Sequence, residues 1–155
     1  MNVQGSAGER ARRTPRVLLF ACRWCALIGG DAAGRGRFPL PASFRVIPVE
    51  CAAMIEPDSV LRAFASGADG VGVLGCHLGG CRFNDANGVA LKRMETLGDL
   101  LETVGIGRRR LLLSFGTGHE GHQFAEILRT FYAELEPLPP LSAWRGPLMN
   151  TPTFR

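Results

Sequence analysis

Five cysteines, Cys22, Cys25, Cys51, Cys76 and Cys81, are the residues of this chain whose type and spacing could do chemistry. They fall in "CRWC", at the end of "FRVIPVEC", and in the glycine-rich stretch "GCHLGGCRF". Thiols so spaced could fill a core as small apolar groups, bind a structural zinc, exchange with disulfides or hold an iron–sulfur cluster. Core filling suits Cys51, which has apolar neighbours, but not Cys76 and Cys81, whose loop has little apolar surface. Zinc accepts the C-x2-C spacing of Cys22 and Cys25, while C-x4-C at Cys76 and Cys81 is loose for it. Disulfide exchange at "CRWC" needs a substantial helix behind the first thiol, and Gly29, Gly30 and Gly34 interrupt the segment that follows. A cluster needs four thiolates on loops free enough to wrap it and offer N–H groups to its sulfides, a freedom that Gly79 and Gly80 provide. An iron–sulfur cluster is therefore the best match.

The elements that must position these thiols are legible in the hydrophobic pattern. Residues 16–22, 44–51, 69–76 and 110–116 are short, nearly continuous apolar runs, predicted as strands. Between them lie a one-to-two-turn helix after Cys25, a helix with Pro57 at its first position and Gly67 at its stop, and a long helix spaced Ala90, Met94, Leu97, Leu101, Val104. A last helix carries Phe124, Ile127, Leu128, Phe131 and Leu135 on one stripe. Strict β-α alternation with apolar strands predicts an α/β fold: a small parallel four-stranded sheet with helices on both faces, flavodoxin-like or Rossmann-like. The expected strand order is 2-1-3-4, which leaves the Pro48 strand at an edge. Every strand of a parallel sheet ends on the same rim, so this topology gathers all five cysteines where open α/β sheets bind ligands.

At 155 residues, 46% hydrophobic and 21% charged, the chain has the composition of one globular domain, and no apolar run reaches the roughly 20 residues that span a bilayer. Residues 1–16 carry four arginines against one glutamate, which accounts for +3 of the net charge of +4. The expectation is a disordered basic tail at 1–16, an α/β domain at 17–136 and a proline-rich irregular tail at 137–155, with no nucleic-acid-binding face and no membrane segment. Arg23 interrupts the apolar run that would otherwise read as a signal peptide. A cytoplasmic protein is expected, in which an odd number of cysteines points to metal or redox chemistry.

The blocks "FACRWCALIGGDAAG", "FRVIPVEC", "VLRAFASGADGVGVLGCHLGGCRF" and "GHEGHQFAEI" resemble, in order, the delta subunit of methyl-viologen-reducing hydrogenases. The resemblance runs from residue 17 to about 134 and includes all five cysteine positions. It implies one 2Fe–2S cluster and electron transfer between a hydrogenase or formate dehydrogenase module and the flavin-containing subunit of a heterodisulfide-reductase-type complex. Three stretches depart from the family pattern: Ala52, Ala53 and Met54 replace Ser-Gly-Arg, Leu78, Gly79 and Gly80 replace Pro-Gly-Asp, and Arg82 and Phe83 replace His-Tyr. They bear on partner identity and redox potential more than on cluster binding.

Four ligands are needed and five thiols are present. Cys22, Cys25, Cys76 and Cys81 are expected to ligate, as two pairs facing across the crevice between strands 1 and 3, with Cys51 beside them or replacing one of them. Trp24 is expected to shield the cluster or to dock a partner, and His77 to hydrogen-bond near a sulfur or face solvent. "FGTGHEG" offers an alternative anion cradle of the flavin-binding kind. No general acid–base pair or activated nucleophile stands out, so the expectation is an electron carrier without substrate chemistry. The alternative is an α/β interaction module, zinc-stapled or metal-free, without redox activity.

Overall fold

The computed structural model describes residues 13–116 and 120–143. Its elements alternate as β1 (Val17–Cys22), α1 (Ala26–Arg35), β2 (Phe44–Val49), α2 (Pro57–Ala65), β3 (Gly70–Gly75), α3 (Ala86–Thr103), β4 (Leu111–Phe115) and α4 (Gly121–Leu135). Short 3-10 turns lie at Ala52–Met54, Arg108–Arg110 and Leu141–Ala143. All strand pairs are parallel, in the order β2-β1-β3-β4. This is the predicted α/β sheet. Pro48, which has no N–H to donate, lies on the β2 edge opposite Ala21.

Strand side chains alternate between two cores. Phe20, Val71, Val73 and Leu111 pack with Val60 and Phe64 of α2 and Met94, Leu97 and Leu101 of α3. Val17, Leu19, Ala21 and Leu74 pack on the opposite face with Ala26 and Ala33 of α1 and Phe124, Leu128 and Phe131 of α4. Among the described residues no helix is long and apolar enough to cross a membrane.

The first helix is longer than its sequence suggests. Its glycines predict one to two turns, and the structure has ten residues, Ala26–Arg35. The glycines serve packing: the ring of Phe124 lies against Gly30, where a Cβ would meet it at 3.3 Å. At the start of α4, a Cβ on Gly121 would fall on the backbone of Ala32 and Ala33. Backbone atoms cannot swing aside as a flexible side chain can. Gly121→Ala should therefore push α1 from α4 and lower stability by roughly 1–3 kcal/mol, read as an earlier urea midpoint with an unchanged slope. An unchanged midpoint would show that the two helices separate freely.

At the amino end of the sheet, opposite the cysteines, Asp69 ties several segments together. Its carboxylate is 2% exposed and accepts from Arg13 Nη2 at 2.5 Å, from the Arg16 N–H at 2.9 Å and from the Leu141 N–H at 3.2 Å. Its own carbonyl accepts from Arg110 Nη1 at 2.9 Å, and Arg110 Nη2 reaches the carbonyl of Pro139 at 2.6 Å. Residues on either side of the alternating elements are thereby fastened to the sheet, and Leu141 is buried against the α2–α3 core.

Candidate metal centre

Each cysteine is placed by the end of a strand. Cys22 is the last residue of β1, and Cys25 is the N-cap position of α1. Cys51 follows β2 and caps the 3-10 turn Ala52–Met54, and Cys76 directly follows β3. Cys81 closes the loop between β3 and α3, bridged to Asn84. Because the strands are parallel, all five positions lie at one rim. Cys22, Cys51 and Cys76 are buried there, while Cys25 and Cys81 are half-buried.

The sulfurs touch across the strands. Cys22 Sγ and Cys76 Sγ are 3.6 Å apart, so the direct contact joins the two sequence pairs rather than running within either. Cys76 also interacts with the thiol of Cys25 and, through space, with Cys81. Cys51 interacts with Cys81 and Cys22, and its Sγ accepts the Ala53 N–H at 3.4 Å. Cys76 thus sits at the middle of a connected group of five.

Burial sets the protonation of these thiols, because removing the anion from water disfavours it. It pushes Cys22 and Cys51 above the ordinary thiol value and, reinforced by the neighbouring Cys25, pushes Cys76 up to about 12. Without metal these are neutral thiols packed on each other at neutral pH. Among the described residues no three His, Cys, Asp or Glu side chains stand ready as a metal-holding set. The thiol contacts nonetheless bring all five residues to one place. Ligation requires deprotonation and a closing of side-chain rotamers that neutral thiols have no reason to adopt.

Around the thiols lie the other expected site residues. Trp24 is exposed, and the guanidinium of Arg82 stacks over its ring with 4.1 Å to the centroid, linking the Cys22–Cys25 turn to the Cys81 loop. His77 is exposed with its ring beside Gly116, where a Cβ would lie 3.2 Å from Nδ1, so it faces the end of β4 and solvent. Gly79 adopts φ +78° in a turn closed by the Gly80 N–H donating to the His77 carbonyl at 2.9 Å. A positive φ at this position of a turn favours glycine. Met54, Leu78 and Phe83 are also exposed, so with Trp24 they set large apolar side chains along the cysteine loops. Residues 117–119 of the suggested anion cradle lie outside the described residues.

Two polar residues that sequence reasoning missed brace the loops from α3. Asn87 Nδ2 donates to the carbonyls of Cys76 and His77, at 3.0 Å and 2.7 Å. Arg93 Nη1 donates to the carbonyls of Ala53 and Ile55 beside Cys51, at 3.0 Å and 3.4 Å. The available signal was a polar residue falling on the inward stripe of a helix, three positions before Ala90. A cavity of about 760 Å³ between α2 and β2, lined among others by Arg16, Phe20, Arg45, Ile47 and Arg62, has no cysteine in its wall.

Fold and rim together define a class: a small parallel α/β domain that collects thiols at the carboxyl ends of its strands. Residues 17–138 match the family described as methyl-viologen-reducing hydrogenase, delta subunit, and the chain belongs to it. It is 39% identical over 126 residues to the iron-sulfur subunit of the F420-non-reducing hydrogenase of Archaeoglobus profundus, spanning 81% of this chain and 92% of that one. It is 36% identical to the iron-sulfur subunit of the F420-non-reducing hydrogenase vhc of Methanococcus voltae, over 81% and 88% of the two chains. A third relative, from the ferredoxin:CoB-CoM heterodisulfide reductase of Methanosarcina mazei, is 36% identical over 138 residues, 89% of this chain but 17% of that much longer one.

Proposed function

We propose that this chain is an electron-transfer subunit that carries one 2Fe–2S cluster on the cysteine rim. It would relay electrons in the cytoplasm between a hydrogenase- or formate-dehydrogenase-type module and a flavin- and iron–sulfur-containing heterodisulfide-reductase-type subunit. The observation that carries this reading is the 3.6 Å between Cys22 Sγ and Cys76 Sγ. Two thiolates on one tetrahedral metal, each ~2.3 Å from it, lie roughly 3.8 Å apart. The donor set suits the group as well, since Cys22, Cys25, Cys51, Cys76 and Cys81 all lie at the carboxyl ends of β1, β2 and β3. The relatives support the same reading, because two are named iron-sulfur subunits of a hydrogenase and a third is a heterodisulfide reductase chain containing a similar stretch. A domain found both alone and within a larger polypeptide suits a protein that docks on such a polypeptide.

Bound there, a two-iron cluster supplies reversible one-electron exchange. The chain's own residues hold and shield it. Cys22, Cys25, Cys76 and Cys81 are its ligands in this scheme, Cys51 lies alongside them, Gly79 and Gly80 let the loop wrap, and Trp24 with its apolar neighbours forms the surface a partner meets.

Anaerobically purified protein should contain two iron and two acid-labile sulfide per chain and give an S = 1/2 signal on reduction, as the assignment of one two-iron cluster requires. One equivalent of zinc, or no metal at all, would overturn the proposal in favour of a non-redox interaction module. The fifth thiol is assigned by a matched pair: Cys25→Ser should lose most of the iron and Cys51→Ser retain it. The reverse pattern would exchange the roles of Cys25 and Cys51.

A further inference from the structure

Three polar or charged residues are buried among the described residues, Asp69, Asn87 and Arg110. Asp69 and Arg110 act together at the amino end of the sheet, and Asn87 stands apart from them at the cysteine end. It is 1% exposed, on the first turn of α3. A buried amide is tolerated when its hydrogen bonds are made, and those of Asn87 are spent on one target. Its Nδ2 donates to two successive carbonyls, Cys76 at 3.0 Å and His77 at 2.7 Å, while Oδ1 accepts the Gly88 N–H at 3.0 Å. The two carbonyls also fix the amide's orientation, because only the NH2 end can serve both of them.

Successive carbonyls of a strand point to opposite sides. Here two in a row turn to one donor, so the chain leaves strand geometry at Cys76, immediately after β3 ends at Gly75. In planar trans peptides the N–H points away from the C=O. The amides of His77 and Leu78 therefore both face away from Asn87, side by side. The His77 carbonyl takes a second hydrogen from Gly80, which closes the turn leading to Cys81. One side chain of α3 thus sets the backbone at Cys76, the turn behind it and the presentation of two adjacent N–H groups.

We infer that Asn87 is the positioning residue of this centre: its amide clamps the Cys76–Cys81 loop in the conformation that presents both thiols to the cluster. The inference rests on the cluster proposal for its purpose but not for its test. Asn87→Leu keeps the side chain's branching and burial, removes the side-chain donor to the Cys76 carbonyl and leaves the His77 carbonyl with the Gly80 N–H. In metal-free protein, hydrogen exchange of the Gly80 amide, which donates to the His77 carbonyl, should speed about tenfold or more relative to wild type, since the turn it closes loses its clamp. The amides of β1 and β3 serve as the internal reference and should keep their wild-type rates. In iron-loaded protein, loss of colour to a chelator should accelerate and the reduction midpoint should shift, since amides near a cluster tune it.

Unchanged Gly80 exchange, or equal acceleration at Gly80 and in the core strands, would overturn the clamp and leave Asn87 as an ordinary core residue. Should the leucine variant fail to fold, Asn87→Ser, which keeps a single donor on a shorter arm, is read by the same ratio. If the wild-type protein takes up no iron, the cluster proposal fails, and the metal-free exchange still decides the clamp.

Discussion

Cys76→Ala should abolish iron binding entirely while leaving the α/β domain folded. Cys76 interacts with the thiols of Cys22, Cys25 and Cys81, so it is the residue whose removal breaks the most links in the group. It is 2% exposed at the end of a strand, and shortening it deletes a single sulfur atom from the rim. Loss of that buried atom is expected to lower the stability of the metal-free domain by about 1–2 kcal/mol, against complete loss of the iron–sulfur absorbance and resonance signals. Iron content, visible absorbance and far-UV circular dichroism on one preparation measure both effects. A variant that keeps stoichiometric iron would remove Cys76 from the ligand set. A variant that loses its fold along with its iron would instead make the thiol a core residue.

The second large effect lies at the other end of the sheet. Asp69→Asn should destabilise the protein by roughly 1–3 kcal/mol, because an NH2 group cannot accept the Arg13, Arg16 and Leu141 hydrogens that the two buried carboxylate oxygens share. The buried Arg110, 4% exposed, is not part of this carboxylate set: it donates to the Asp69 backbone carbonyl, which the substitution leaves in place. The loss is a large fraction of the ~5–15 kcal/mol that holds a domain together. Burial alone would raise the Asp69 carboxyl above its usual value, but the hydrogen bonds from Arg13, Arg16 and Leu141 outweigh it and hold the group below 3.8. A carboxylate held down in this way binds its proton less tightly when folded than when unfolded. Its stabilisation is complete above 3.8 and disappears as the pH falls through the lower folded value. Urea unfolding at neutral and acidic pH should show wild type converging on the asparagine variant as acid is added. Parallel curves at every pH would exclude the carboxylate as the source. Because Asp69 is far from the rim, wild-type iron content in the surviving folded fraction would show that fold and centre are separable.

Much of this molecule was legible because short-range patterning determines it. Strand-length apolar runs alternating with helical stripes leave one economical architecture, and Pro48, lacking an N–H, sends its strand to the edge. Once the sheet is parallel, residues at strand ends must share a rim, so the neighbourhood of Cys22, Cys51 and Cys76 follows from chain order alone. The length of α1 was not legible. Glycine lowers local helix propensity, and what restores the helix is close packing against Phe124 and Gly121, about ninety residues away in sequence.

Contacts between specific atoms were decided only by the tertiary structure. Chain order predicts that the Cys22/Cys25 and Cys76/Cys81 pairs face each other across the β1–β3 crevice, but which sulfurs meet, Cys22 and Cys76, is set by the register of β1 against β3. Asn87 and Arg93 look like ordinary polar residues of a long helix, and their bonds to the cysteine loops exist because α3 packs across the ends of β2 and β3. Arg13 and Leu141 lie far apart in sequence, yet both converge on the Asp69 side chain because a carboxylate out of water must be satisfied by whatever donors the fold brings within reach. Periodicity and chain order decide which end of a sheet a residue occupies. Which side chains touch there depends on register, rotamers and buried polar satisfaction, which exist only in three dimensions.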